Sequence, residues 1–230
     1  MDILLTGFPS FVARRLFMTI RERAPEATVR LLVRPDYVDE AHRRLEDMEL
    51  DDEHTLVLSG DVVAMDLGLS GREYLEVIAN VTDIFHVASI WWLGVDREQT
   101  WEVNVLGAQN VLDAAQEMRQ LRRLNHFSTA FVAGQREGVI MEGDLEEGQR
   151  FRNAYEETKY EAERLMRRAM EYLPISVFRP SIIVGDSRTG EIDKLAGPYY
   201  LMYAIMLAPP NVPMLMPGKG DKPLNMVPID

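Results

Sequence analysis

Short apolar runs alternate along most of the chain with stretches whose apolar positions recur three or four residues apart. The runs at 3–5, 29–33, 56–59, 83–87, 124–128 and 175–178 are apolar nearly throughout, which is how strands buried on both faces read. Between them, helical spacing occupies 11–23 (Val12, Leu16 and Ile20 fall four apart), 39–48, 74–79, 100–118 and 155–172. Strict alternation of strand and helix predicts right-handed βαβ crossovers and one parallel sheet with helices on both faces. The predicted fold class is α/β, a doubly wound parallel sheet over residues 1–190. After Gly190 the pattern changes, because seven of the 12 prolines (Pro198, Pro209, Pro210, Pro213, Pro217, Pro223 and Pro228) fall in what remains. Proline at that density breaks helices and is excluded from central strands. Residues 191–230 therefore read as the start of a substrate-side segment.

Composition removes several classes of function. With 37 acidic and 25 basic residues the net charge is −12, opposite to the basic stripe that a nucleic-acid binder presents. There is no cysteine, hence no disulfide, thiolate metal site or cysteine nucleophile. His42, His54, His86 and His126 lack paired ligand spacing, so no metal site is expected. The N-terminus is not a signal peptide, and the apolar run at 201–208 is far short of the roughly 20 residues of a membrane span. A cysteine-free chain without these signals fits a reducing cytoplasm.

The first strand-to-helix turn reads Thr6-Gly7-Phe8-Pro9-Ser10-Phe11-Val12-Ala13. Small residues at such a turn let backbone N–H groups and a helix N-terminus approach a pyrophosphate. Gly7 is present, whereas Ser10 and Ala13 stand where further glycines are usual. Arg34 ends the second strand, where a guanidinium suits the 2′-phosphate of NADP better than the ribose of NAD. After the third strand, Asp61 can accept from an adenine amino group with Val62 against the ring. After the fourth, small Ala88 and Ser89 leave room for a cofactor beside the backbone. His86 reads as a satisfied buried histidine.

Tyr155-Glu156-Glu157-Thr158-Lys159 is the strongest local signal. Residues four apart share a helix face, so the phenol and the ammonium can converge, and a nearby cation favours phenolate. A hydroxyl at the end of the fifth strand can polarise the same substrate oxygen. Thr129 is the first choice and Ser128 the second, since neighbours on a strand point oppositely. Trp91, Trp92, Phe131, Tyr199 and Tyr200 can wall an apolar pocket.

Together with Asn104-Val105-Leu106-Gly107, the 153–159 segment and the 178–190 segment, these motifs resemble the extended short-chain dehydrogenase/reductases. Within that superfamily the chain is most similar to the branch of male-sterility, fatty acyl-CoA reductase and thioester reductase domains. The resemblance implies a Rossmann-like domain, with Tyr155 as general acid/base and Lys159 on the nicotinamide ribose. It further implies that Thr129 orients the carbonyl, Asn104 supports a water and proton relay, and Pro180 to Ile182 line the nicotinamide carboxamide. The implied reaction is hydride transfer between NADP and a carbonyl carbon of an apolar thioester, aldehyde or ketone. Family members often pair through the two long helices, so a homodimer through 100–118 and 155–172 is expected. The segment 224–230 resembles a lead-in to a further helix, so the expectation is a chain cut short. A sugar-nucleotide epimerase or dehydratase that retains NAD, and a dinucleotide sensor without turnover, are the competing readings.

Overall fold

A computed structural model describes residues 1–50, 52–92, 94–195, 197–209 and 224–230. Pro210, Pro213, Pro217 and Pro223 of the proline-rich stretch lie outside the described residues. Two compact units are present, Met1–Pro180 and Ser181–Asp230.

In the first unit, β1 (Asp2–Thr6), β2 (Thr28–Val33), β3 (Thr55–Ser59), β4 (Asp83–His86), β5 (Arg123–Phe127) and β6 (Ile175–Phe178) form one parallel sheet. Their order is β3-β2-β1-β4-β5-β6, so the chain reverses direction across the sheet between β1 and β4. A doubly wound sheet binds its ligand at such a reversal, outside the carboxyl ends of the strands.

Alternation along β1 separates two cores. Ile3 and Leu5 face one side with Val29, Leu31 and Val33, packed by Phe17 and Ile20 of α1 (Phe11–Arg23) and by Ala41 and Leu45 of α2 (Val38–Asp47). Leu4 faces the other side with Leu32, Leu58, Ile84 and Leu124. That side is covered by Val77 of α3 (Gly71–Asn80), Val111 and Ala115 of α5 (Gly107–Glu117), and Ala162 and Met166 of α6 (Ala154–Ala169). Each fully buried aliphatic side chain contributes about 1.5–3 kcal/mol, so the sheet's two faces dominate the unit's stability.

Two helices differ from their sequence expectation. The expected helix at 100–118 begins earlier, as α4 (Arg97–Trp101), and reaches α5 through a widened turn at Glu102–Leu106. There the Gly107 N–H bonds the Glu102 carbonyl, five residues back. The expected helix at 155–172 is α6, capped by Asn153 and ending at Ala169.

The second unit pairs β7 (Ile182–Val184) with β8 (Met226–Pro228) in parallel. Asp230 accepts from the Ser187 N–H and hydroxyl, both at 2.7 Å. Its helix α7 (Pro198–Leu207) is apolar all round, with Leu201, Met202, Ile205 and Met206 exposed.

Candidate active site

The ends of β1 and β4 are joined by side chains as well as by the sheet. Thr6 Oγ1 accepts from the Val87 and Ala88 N–H groups at 3.2 and 3.1 Å and lies 3.0 Å from His86 Nδ1. With both N–H groups pointing at the oxygen, its own proton goes to Nδ1, which fixes the His86 proton on Nε2. Burial pulls the His86 pKa down to about 3, with the Lys159 charge acting in the same sense. His86 is thus a neutral structural ring, as expected.

Gly7 follows, with φ +88° and an ideal Cβ position only 2.7 Å from the Ala88 nitrogen. Only glycine lets the turn pass this close to the 87–89 segment. Phe8 is buried edge-on against Phe17, and Pro9 O accepts from Arg14. Ser10 caps α1, accepting from the Ala13 N–H at 3.4 Å, in an extended conformation that needs no glycine. Ala13 is fully buried, its methyl accommodated. Neither departure from the glycine pattern obstructs the turn. The first-turn N–H groups of Phe11 and Val12 have no intrahelical acceptor by position, and α1 has no acidic residue in its first turn. That helix end suits a pyrophosphate.

At the end of β2, Arg34 is half-exposed and stands 5.5 Å over the Tyr37 ring. It pairs with Asp36 at 2.8 Å and more loosely with Asp61 at 3.6 Å. The other Asp61 oxygen accepts from the Val63 N–H at 3.1 Å. Val62 is buried, in close contact with α5 at Gly107. Arg34 and Asp61 therefore sit together, while Val62 is part of the core.

On the other half of the sheet, β5 and α6 bring two predicted groups together. Thr129 is buried and Tyr155 half-buried, and the Thr129 hydroxyl stands close enough to the phenol to favour its ionised form. Burial pushes the phenol pKa up, the Thr129 hydroxyl opposes this, and the Glu156 charge adds to it. Thr129 Oγ1 also reaches the Pro180 carbonyl at 3.4 Å, and the Ala130 N–H bonds the same oxygen at 2.9 Å. Ser128 points the opposite way, its Oγ 2.6 Å from Glu163. Strand alternation selects Thr129.

Lys159 is buried one turn beyond Tyr155, and its Nζ donates to the Phe127 carbonyl. Burial pulls its pKa down to about 8, against the attraction of Glu163. On the phenol itself, the Thr129 hydroxyl acts to lower the pKa while the net shift is upward. Asn104, in the widened turn, accepts from the Ile90 N–H at 2.7 Å. Its Nδ2 donates to the Ile90 carbonyl and to Thr158 Oγ1, both at 3.0 Å. The side chain therefore ties the 88–92 segment to α6.

Trp91, Trp92 and Phe131 are about half-exposed and belong to no core cluster. Tyr199 and Tyr200 lie in the second unit, where the Tyr199 hydroxyl accepts from the Gly185 N–H at 2.8 Å; Ile182 is in that unit too. The sequence reading missed Glu163, Arg179 and Thr158. The available signal was that Thr158, Lys159 and Glu163 all fall on the buried stripe of α6, where apolar residues are the norm.

The male sterility protein family model matches residues 5–230. Fatty acyl-CoA reductase wat of Drosophila melanogaster is 24% identical over 269 residues, covering 99% of this chain and 52% of that protein. The chain thus spans about half the length of that relative. The crystal structure of the terminal R domain from the myxalamid PKS-NRPS biosynthetic pathway has a TM-score of 0.83 and 26% identity, covering 100% of this chain and 59% of that one. UDP-glucuronic acid 4-epimerase from Bacillus cereus, in complex with NAD, shares the fold, with a TM-score of 0.64 and 21% identity over 82% of this chain and 59% of that one. Among the described residues, no helix is long and apolar enough to cross a membrane. The chain belongs to the male sterility protein family, in the branch of the extended short-chain dehydrogenase/reductases, NAD(P)-dependent oxidoreductases, that holds the fatty acyl-CoA reductases and thioester reductase-like domains.

Proposed function

We propose that the protein is an NADP-dependent reductase of an acyl-type carbonyl in an apolar substrate, with Tyr155 as the general acid. One observation carries this reading: a half-buried phenol and a buried threonine hydroxyl stand close together where a central strand ends and α6 begins. A bound nicotinamide supplies hydride to the carbonyl carbon. Tyr155 gives its proton to the carbonyl oxygen, and Thr129 holds that oxygen during the transfer. With an aldehyde or ketone the product is an alcohol. With a thioester the same two transfers give a hemithioacetal, which expels the thiol and leaves an aldehyde. With its pKa raised, the phenol is protonated at neutral pH, as a proton donor must be on arrival, and is a weaker acid than a free phenol. Lys159 uses one of its three donors on Phe127, and the others are available to ribose hydroxyls. Arg34 favours NADP, since its fork can bind a 2′-phosphate. The acyl preference comes from the named reductases to which the chain is similar.

The test is titration with NADPH and NADH, followed by a screen of long-chain aldehydes and acyl thioesters. Tighter NADPH binding and turnover are expected, with Tyr155→Phe lowering kcat by about 100-fold or more at unchanged NADPH affinity. A tightly retained nucleotide that does not exchange would favour the epimerase reading. Binding without turnover across the panel would favour a sensor.

A further inference from the structure

Glu163 lies one helical turn beyond Lys159 and is fully buried. A carboxylate in such a place requires several strong donors. Its oxygens receive Ser128 Oγ at 2.6 Å, Arg167 Nε at 2.8 Å, and Arg179 through Nε at 3.0 Å and Nη2 at 2.8 Å. The two guanidiniums direct other donors at the main chain of one segment. Arg167 binds the Glu142 and Gly143 carbonyls, and Arg179 Nη2 binds the Asp144 carbonyl at 2.8 Å.

That segment belongs to the excursion joining the two halves of the candidate site. The chain leaves β5 at Thr129, makes a short helical turn at Ala130–Ala133, and returns at Asn153, the cap of α6. Gly134, with φ +61° and an ideal Cβ position 2.4 Å from the Arg150 carbonyl, closes the loop's neck with the Gln135 N–H bond to the same oxygen. Thr129 stands at one end of this excursion and Tyr155 just past the other. Glu163 is the group to which the strand end, the helix and the loop are all tied.

We propose that Glu163 is a positioning residue: through Ser128, Arg167 and Arg179 it sets where Thr129 stands relative to Tyr155. The proposal rests on the reading of Tyr155 as general acid. Neither Glu163 nor Ser128 needs to touch substrate or cofactor; they act by holding the end of β5 against α6. Ser128 Oγ is the side-chain link from Glu163 to the end of β5, beside the main-chain bonds that join 128–130 to Phe178 and Pro180, and it directly precedes Thr129.

Ser128→Ala cuts that link and leaves both arginines paired. In the free protein, the Tyr155 phenol is titrated by ultraviolet difference absorbance against Tyr155→Phe. Its pKa is expected to rise in Ser128→Ala by about 0.5–1 pH unit as the Thr129 hydroxyl moves away from the phenol. Glu156, the charged neighbour of the phenol, is unchanged in this variant. Ser128→Thr, which keeps the hydroxyl, should restore the wild-type titration. With a substrate, kcat should fall about tenfold in Ser128→Ala at unchanged cofactor affinity, and Glu163→Gln should fall at least as far. If Glu163→Gln does not fold, Ser128→Ala alone decides. A wild-type phenol titration and wild-type kcat in a folded Ser128→Ala would overturn the proposal. An active Tyr155→Phe defeats instead the general-acid reading, and the phenol titration still reports whether Ser128 sets the position of Thr129.

Discussion

At the scale of single residues, Arg34, the proposed contact for a 2′-phosphate, is already restrained by a carboxylate. Its guanidinium is 2.8 Å from Asp36, with both side chains well exposed. An exposed pair is worth little, and less as salt rises. Under the proposed function, the carboxylate nevertheless competes with a 2′-phosphate for the same fork. Asp36→Asn should tighten NADPH binding by about twofold to fivefold at low salt and leave NADH unchanged, as read by fluorescence titration. Arg34→Ala should erase the difference between the two nucleotides. An unchanged affinity ratio in both variants would mean that Arg34 does not meet the phosphate. Arg34 itself was legible in the sequence because a strand-end position is fixed by the hydrophobic run before it. Its contact with Asp61 was not, since Asp61 arrives from the turn after another strand. That Thr129 and Ser128 point opposite ways was legible for the opposite reason. Alternation along a strand is local, whereas the aim of the long Lys159 side chain depends on the Phe127 carbonyl and its buried surroundings.

At the scale of elements, α6 is stabilised where its chemistry begins. Asn153 Oδ1 accepts from the Glu156 N–H at 2.9 Å, and Glu156 reaches back to the Arg152 N–H at 3.0 Å. These bonds satisfy groups that a helix N-terminus otherwise leaves unpaired. Asn153→Ala should cost about 1 kcal/mol of stability in urea unfolding, and Asn153→Ser should recover most of it. A loss below a few tenths of a kcal/mol would show that the cap is unimportant. The existence of α6 followed from its 3.6-residue spacing. The widened turn that carries Asn104 did not, because one extra residue in a turn barely disturbs that spacing over a single helix. What shows the widening is the Gly107-to-Glu102 bond. Asn104 is then engaged with Ile90 and Thr158, contacts that cross from one element to another.

At the scale of the whole molecule, the centre of the sheet holds two buried rings side by side. His86 and His126 are register partners on β4 and β5, with ring centroids 5.4 Å apart. Among the described residues, neither His126 ring nitrogen has a hydrogen-bond partner, and burial, with the Lys159 charge assisting, holds its pKa well below normal. For His86 the folded value is about 3 against 6.5 for the free side chain. The unfolded chain therefore binds the proton first, so the His86 contribution to stability is constant above about pH 7 and falls as pH drops through 6.5. The expected loss is about 1 kcal/mol between pH 6.5 and 5.5 for His86, with His126 adding in the same direction. Lys159, with a folded pKa near 8 against 10.5, carries a constant cost in this range and does not affect the slope. Urea midpoints measured from pH 7 to 5 check this; a flat profile would mean that the rings take up protons without unfolding.

The order of strands and helices, the burial of strands on both faces and the side of β5 on which Thr129 stands were determined by the sequence itself. These depend on short-range periodicity and on the fixed hand of the crossover. Only the tertiary structure decided which partners the polar side chains of α6 meet. Thr158, Lys159 and Glu163 take their roles from Asn104, the Phe127 carbonyl, Ser128 and Arg179, which are distant in the chain and close only once the sheet is assembled. Hydrogen bonds and charges act over a few ångströms of space, and linear spacing carries no record of those distances.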